Sequence, residues 1–180
     1  MVASQAVLLV DGYNVIGAWL PLQKIRDRVG LDAARWQLTQ SLVDYSAFQG
    51  FNTQLVFDAQ YRESFGSSEV ITHNLVVCYT EFGQTADTYI EKSCALSRQM
   101  PERSKQRIIV ATSDRAQQLT VMGYGAEWMS AAQLASEFAS TTTLVRQQQK
   151  RLQKSPQSYL GNSLDPLAKQ RLERLRLGLH

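Results

Sequence analysis

The run Ala6-Val7-Leu8-Leu9-Val10 is apolar without a break and stops at Asp11. Five such residues are far too few to cross a bilayer. They read instead as a strand buried on both faces, the kind found inside a parallel sheet covered by helices. Further strands are predicted at 53–57, 75–79, 107–112 and 126–129. Between them lie stretches of helical period. In 31–49, Leu31, Ala34, Leu38, Leu42 and Tyr45 recur at three- and four-residue steps, and Gly50 stops the helix. A helix over 85–99 buries Ile90 and Cys94, with Pro101 just beyond its end. A short one over 114–122 is closed by Gly123-Tyr124-Gly125, and a last one begins at Ser130, with Gln133 placed for a capping box. Residues 60–69 are polar, contain Gly66-Ser67-Ser68 and read as a loop. Strands separated by helices of this length pair in parallel through right-handed crossovers. The expected fold is α/β, a three-layer α/β/α sandwich around a central, mainly parallel sheet.

In such a sheet, functional groups gather outside the carboxyl ends of the strands. Asp11 follows the first strand and Asp114 follows the one at 107–112. Asp87 and Glu91 are four apart on the helix at 85–99, so they share one face. Two acids at that spacing repel mildly unless a cation lies between them. Acids clustered without matching bases need protons or a hard divalent ion such as Mg²⁺ or Mn²⁺. Gly12 lets another group approach the backbone beside Asp11, and Asn14 offers a donor and an acceptor for holding a carboxylate or a phosphate. Asp58 also ends a strand, but nothing near it repeats the pattern, so it is a peripheral candidate. A competing reading treats each acid as a helix cap or a macrodipole partner. Three acids at one sheet edge are harder to explain as three independent caps.

Other chemistries lack their residues. No GxGxxG follows the first strand, and no GxxxxGK[ST] loop occurs. Tyr13 stands where a phosphoaspartate hydrolase would need its second acid. His73 and His180 are the only histidines, and neither has a nucleophile partner in sequence. Cys78 and Cys94 lack metal-ligand spacing and read as reduced packing residues. Tyr13, Trp19, Tyr61 and Phe65 are aromatics that either pack or stack on bases.

The net charge of +3 hides an asymmetry. Residues 1–140 hold 11 Lys+Arg and 14 Asp+Glu, net −3, whereas residues 141–180 hold 8 and 2, net +6. Basic extensions of this kind supply phosphate contacts or form a solvated helical face. Residues 155–166, bounded by Ser155-Pro156 and Asp165-Pro166, read as a linker, and 167–177 as a basic helix. The expected division is a domain over 1–150 and a basic linker with a C-terminal helix over 151–180. No basic region precedes the first apolar run, so neither a signal peptide nor a membrane segment is expected, and a cytoplasmic location is.

The ordered set Leu8-Leu9-Val10-Asp11-Gly12-Tyr13-Asn14-Val15-Ile16, Val56-Phe57-Asp58-Ala59, Glu81-Phe82-Gly83-Gln84-Thr85-Ala86-Asp87, Val110-Ala111-Thr112-Ser113-Asp114 and Met129-Ser130-Ala131 resembles the YacP-like branch of the NYN domains, within the PIN-like nuclease superfamily. The resemblance spans nearly the whole chain. It implies a PIN-like fold and a Mg²⁺- or Mn²⁺-dependent endoribonuclease that cuts single-stranded RNA, leaving 5′-phosphate and 3′-hydroxyl ends. It implies mRNA as substrate, in some members on the ribosome. Asp11, Asp87 and Asp114 fall on the family's acidic positions, with Asn14 beside them as a positioning group; Glu91 is added as a metal ligand from its shared helix face with Asp87 alone. The rival class is a non-catalytic RNA- or ribosome-binding module of the same fold. A phosphatase using the same acidic edge is a third.

Overall fold

A computed structural model describes residues 6–58, 66–101 and 106–154. The elements run β1 (Val7–Asp11), α1 (Gly12–Ala18), α2 (Leu20–Arg28), α3 (Leu31–Gln49), β2 (Asn52–Phe57), β3 (Ser67–Thr72), β4 (Leu75–Tyr79), α4 (Ala86–Gln99), β5 (Ile108–Ala111), α5 (Arg115–Gly123), β6 (Glu127–Met129) and α6 (Ala131–Lys154). The six strands lie in the order β3-β4-β2-β1-β5-β6. Every pairing is parallel except β3 with β4. Two compact units divide the chain, Met1–Thr142 and Thr143–His180. The linker and basic helix expected at 155–177, together with Tyr61, Phe65 and His180, lie outside the described residues.

The β1 side chains alternate between two cores, which explains the unbroken apolar run. Leu8 and Val10 join Leu55, Phe57, Leu75 and Ala111 under α1–α3 and the start of α6. Leu9 joins Val56 and Val110 under α4 and α5, where Ile90, Cys94 and Val121 pack. The three-layer sandwich follows, with β1 at its centre. Both cysteines are free and buried. No helix among the described residues is long and apolar enough to cross a membrane.

Two local expectations change, and residues 12–28, for which no element is predicted, fold as helix. Residues 67–69, the end of the segment expected to be loop, begin edge strand β3 (Ser67–Thr72), antiparallel to β4, with a register shift between Val70 and Thr72. Ser67 to Val70 are exposed, so no burial pattern marks the strand, and only its ladder to β4 defines it. Residues 12–28 form two short helices, separated at Trp19 because Pro21 sits in the first turn of α2. At the start of α6, the Ser130 hydroxyl accepts from the Gln133 backbone N–H at 3.0 Å, but the Gln133 amide donates to Glu137. Only half of the capping box forms.

Candidate active site

Strand order creates the site. Both neighbours of β1 are parallel to it, with Val10 opposite Leu55 of β2 and Ala111 of β5. The carboxyl ends of three adjacent strands therefore emerge together, carrying Asp11, Asp58 and the loop Thr112-Ser113-Asp114. The chain leaves β1 toward β2 on one side and returns to β5 on the other, which opens a crevice at that edge. The helix α4 starts at the same edge and brings Asp87 in its first turn.

Every strand-end acid also caps a helix or holds its first turn. Asp11 Oδ1 accepts from the Asn14 N–H at 3.0 Å, capping α1. Asp114 Oδ1 accepts from Ala116 and Gln117 at 2.7 and 3.0 Å, capping α5. Asp58 Oδ1 accepts from the N–H of Ala86, the residue before Asp87. Thr85 is the cap of α4 itself. The capping reading is thus correct in its contacts, but it does not separate the acids. Each of these bonds falls on a single carboxylate oxygen, and the same groups act on one another.

Asp11 is 7% exposed. Burial pushes its carboxyl up to about 6, the Asn14 N–H opposes this, and the charges of Asp87 and Asp58 add to it. Asp87 is also raised, by burial first, then by Asp114 and Asp58, while its hydrogen bond with Asp11 pulls the other way. That contact acts in opposite directions on the two, raising Asp11 and lowering Asp87. Glu91 is not among the charges acting on either. It lies one turn further along α4, where its charge helps hold up the Cys94 thiol. Asp58, peripheral in the sequence, belongs to the coupled set.

Asn14 Oδ1 accepts from the Ser113 N–H at 2.6 Å, tying the β1 loop to the β5 loop. Ser113 Oγ in turn accepts from the Ala131 N–H at 3.2 Å, and Thr112 Oγ1 from the Asp114 N–H at 3.1 Å. The Thr112-Ser113-Asp114 loop is held at all three residues. Gly12 has no room for a side chain, since a Cβ there would lie 2.2 Å from the Phe57 ring. Phe57 stacks on Tyr79 and meets Tyr13 at 5.1 Å. Tyr13 and Trp19 both pack on other rings, Trp19 against Phe138. Asn14 supports the carboxylates through the Ser113 bond, and Phe57 is the one packing residue at the site that only its contact with Gly12 reveals.

The donor set suits a hard divalent cation. Its groups are carboxylate oxygens with no matching base among the couplings that shift Asp11 and Asp87, and two of them keep protons more tightly than free aspartate. Among the described residues, no three Asp, Glu, His or Cys side chains are already gathered so that one ion touches all of them. Asp11 and Asp87 are the joined pair, with Asp58 and Asp114 on either side.

Comparison with known proteins places this geometry. Residues 8–177 match the model of the YacP-like NYN domain. The uncharacterized protein YacP of Bacillus subtilis (strain 168) is 34% identical over 148 residues, 82% of each chain. The crystal structure of Rae1 (YacP) from Bacillus subtilis superposes with a TM-score of 0.68 at 29% identity, covering 97% of this chain and 96% of that one. A point-mutant crystal structure of the same protein gives 0.67 at 31% identity, over 83% and 84%. The chain belongs to the YacP-like NYN domain family and has its PIN-like nuclease fold.

Proposed function

We propose that this member of the YacP-like NYN family is a divalent-metal-dependent endoribonuclease that hydrolyses phosphodiester bonds within single-stranded RNA. The observation that carries the reading is the set of carboxylates at one sheet edge, Asp11 and Asp114 at the ends of neighbouring strands and Asp87 in the first turn of α4. Asp11, Asp87 and Asp114 would hold Mg²⁺ or Mn²⁺, with Asp58 adding charge behind them. Glu91 would stay outside the inner set. Bound there, the cation would supply a water of lowered pKa and positive charge for an in-line transition state. Below about pH 6, where Asp11 holds a proton, a cation would have to displace it. Asn14 keeps the Asp11 and Asp114 loops together and positions them without touching the phosphate. The substrate proposed is mRNA in the cytoplasm, with the ribosome as a partner that presents it.

The test is incubation of unstructured and structured RNAs with Mn²⁺, Mg²⁺ or EDTA, with the ends analysed. Cleavage that leaves 5′-phosphate and 3′-hydroxyl ends and needs the metal is expected. Cleavage in EDTA would sink the mechanism. The second reading, a non-catalytic RNA-binding module, draws on the capping bonds of Asp11, Asp58 and Asp114. It requires Asp11→Asn and the wild type to behave alike on RNA.

A further inference from the structure

A groove of about 360 Å³ opens between α3 and the β3–β4 edge. Its walls are Arg35, Trp36 and Gln40 of α3 and Glu69, Ile71 and Tyr79 of the strands. Because α3 runs from the carboxyl edge toward the start of β2, its first turns, which carry Arg35 and Trp36, lie at the end of the sheet where Asp11 emerges. The two places are linked through a buried ring, Phe57. The Phe57 ring lies against Gly12, next to Asp11, and stacks on Tyr79 at 5.9 Å, in the groove wall. Arg35 is fixed from three sides. It donates to the Tyr13 hydroxyl at 3.0 Å, pairs with Asp32 and sits 6.0 Å from the centre of the Phe57 ring.

The groove's chemistry selects its occupant. Trp36 is 63% exposed, although it is a large indole on a helix whose other face is core. Ile71 and Val77 make an apolar floor, and Gln40 adds an amide. Two carboxylates, Asp32 and Glu69, oppose the single guanidinium of Arg35, so the lining repels a phosphate. A flat ring with a polar edge fits. We propose that the groove seats an unpaired nucleobase of the substrate strand, stacked on Trp36 and Tyr79, at a distance along the strand from the phosphodiester presented to the acids. The proposal rests on the nuclease reading and extends it, because a base can enter only when it is unpaired. Selection for single-stranded RNA would then be built into this groove and not into the acids.

The test is binding of a single-stranded RNA of about ten nucleotides, measured by anisotropy in EDTA at several salt concentrations and paired with cutting assays in Mn²⁺. Trp36 is a surface residue, so substitution there leaves the fold intact. Trp36→Leu should weaken binding about tenfold, within the range for loss of one stacked base, and Trp36→Phe should restore it. The salt dependence of log affinity should stay parallel to wild type, because no phosphate contact is lost. Wild-type binding and cutting by Trp36→Leu would overturn the groove and leave the nuclease reading standing. A flattened salt slope would overturn the base in favour of a phosphate. Stacking loss rescued by Phe, together with no metal-dependent cutting by the wild type, would support the groove and overturn the nuclease reading. A wild type that neither binds nor cuts RNA overturns both.

Discussion

The Asn14 side chain and the Ser113 backbone, 99 residues apart, are joined by a 2.6 Å hydrogen bond. It spans the ends of β1 and β5 and so sets the spacing between the loops that carry Asp11 and Asp114. Along the sheet edge, Asp58 does the same for α4 by accepting from Ala86. The acids are placed by bonds between loops as much as by the strands beneath them.

Asn14→Ala should therefore damage activity more than stability. The bond is exposed to solvent, so water replaces the lost acceptor and unfolding free energy should fall by about 1 kcal/mol or less. The loops lose their tie, and kcat should fall by a factor of ten or more, because small misplacements of reacting groups cost rate steeply. Steady-state kinetics beside urea denaturation separates the two. A loss of stability large enough to account for the loss of rate would refute the positioning role.

Asp11→Asn should abolish cutting and stabilise the fold at alkaline pH. Burial holds the folded Asp11 carboxyl at about 6, above the ordinary aspartate value of 3.8. The folded state holds this proton more tightly. Its contribution to stability is complete below the unfolded value and is lost as pH rises through about 6. At pH 8 the wild type keeps a charge that the fold disfavours, by at most roughly 3 kcal/mol. The neutral amide avoids this charge and can still cap α1. The advantage of the variant over wild type should shrink to near zero by pH 4. Equal melting temperatures at pH 8 would contradict the burial account.

Metal affinity should follow the same proton. If Asp11 is a ligand, a cation must displace the proton held at about 6. The apparent Mn²⁺ affinity should rise nearly tenfold per pH unit below that value and level off above it. Cutting at low Mn²⁺ should rise in parallel. Calorimetric titration between pH 5 and 8 would read this directly, and a flat profile would remove Asp11 from the ligand set.

Gly12→Ala should be severe for its size. The added methyl would lie 2.2 Å from a Phe57 ring that is fully buried. Overpacking of this kind costs about 1–3 kcal/mol, and the displaced ring would disturb Tyr13 and Tyr79, which it contacts. In a Phe57→Leu background the same change should cost less. A double-mutant cycle measures the difference, and strict additivity would show that the clash is not the cause.

Much of this protein is local in origin and therefore legible in the sequence. The apolar run before Asp11 specifies a doubly buried strand. The predicted bounds 31–49 are those of α3, and Ala34, Leu38, Leu42 and Tyr45 are buried as the periodicity implies, although Leu31 is exposed. Strand–helix alternation gives the parallel three-layer class, and the strand-end positions of Asp11 and Asp114 give the edge where they gather. Tertiary structure decided what local patterns cannot carry. Strand β3 exists because β4 offers it a ladder, not because its exposed Ser67-Ser68-Glu69 favours extension. Asp58 enters the acidic set because β2 happens to lie beside β1, a fact of strand order that no spacing encodes. Glu91 shares a helix face with Asp87 yet stands apart, because α4 begins at the sheet edge and one turn carries it about 5.4 Å along the axis. Sequence spacing places side chains on a face of one element, and only the packing of elements determines what that face meets.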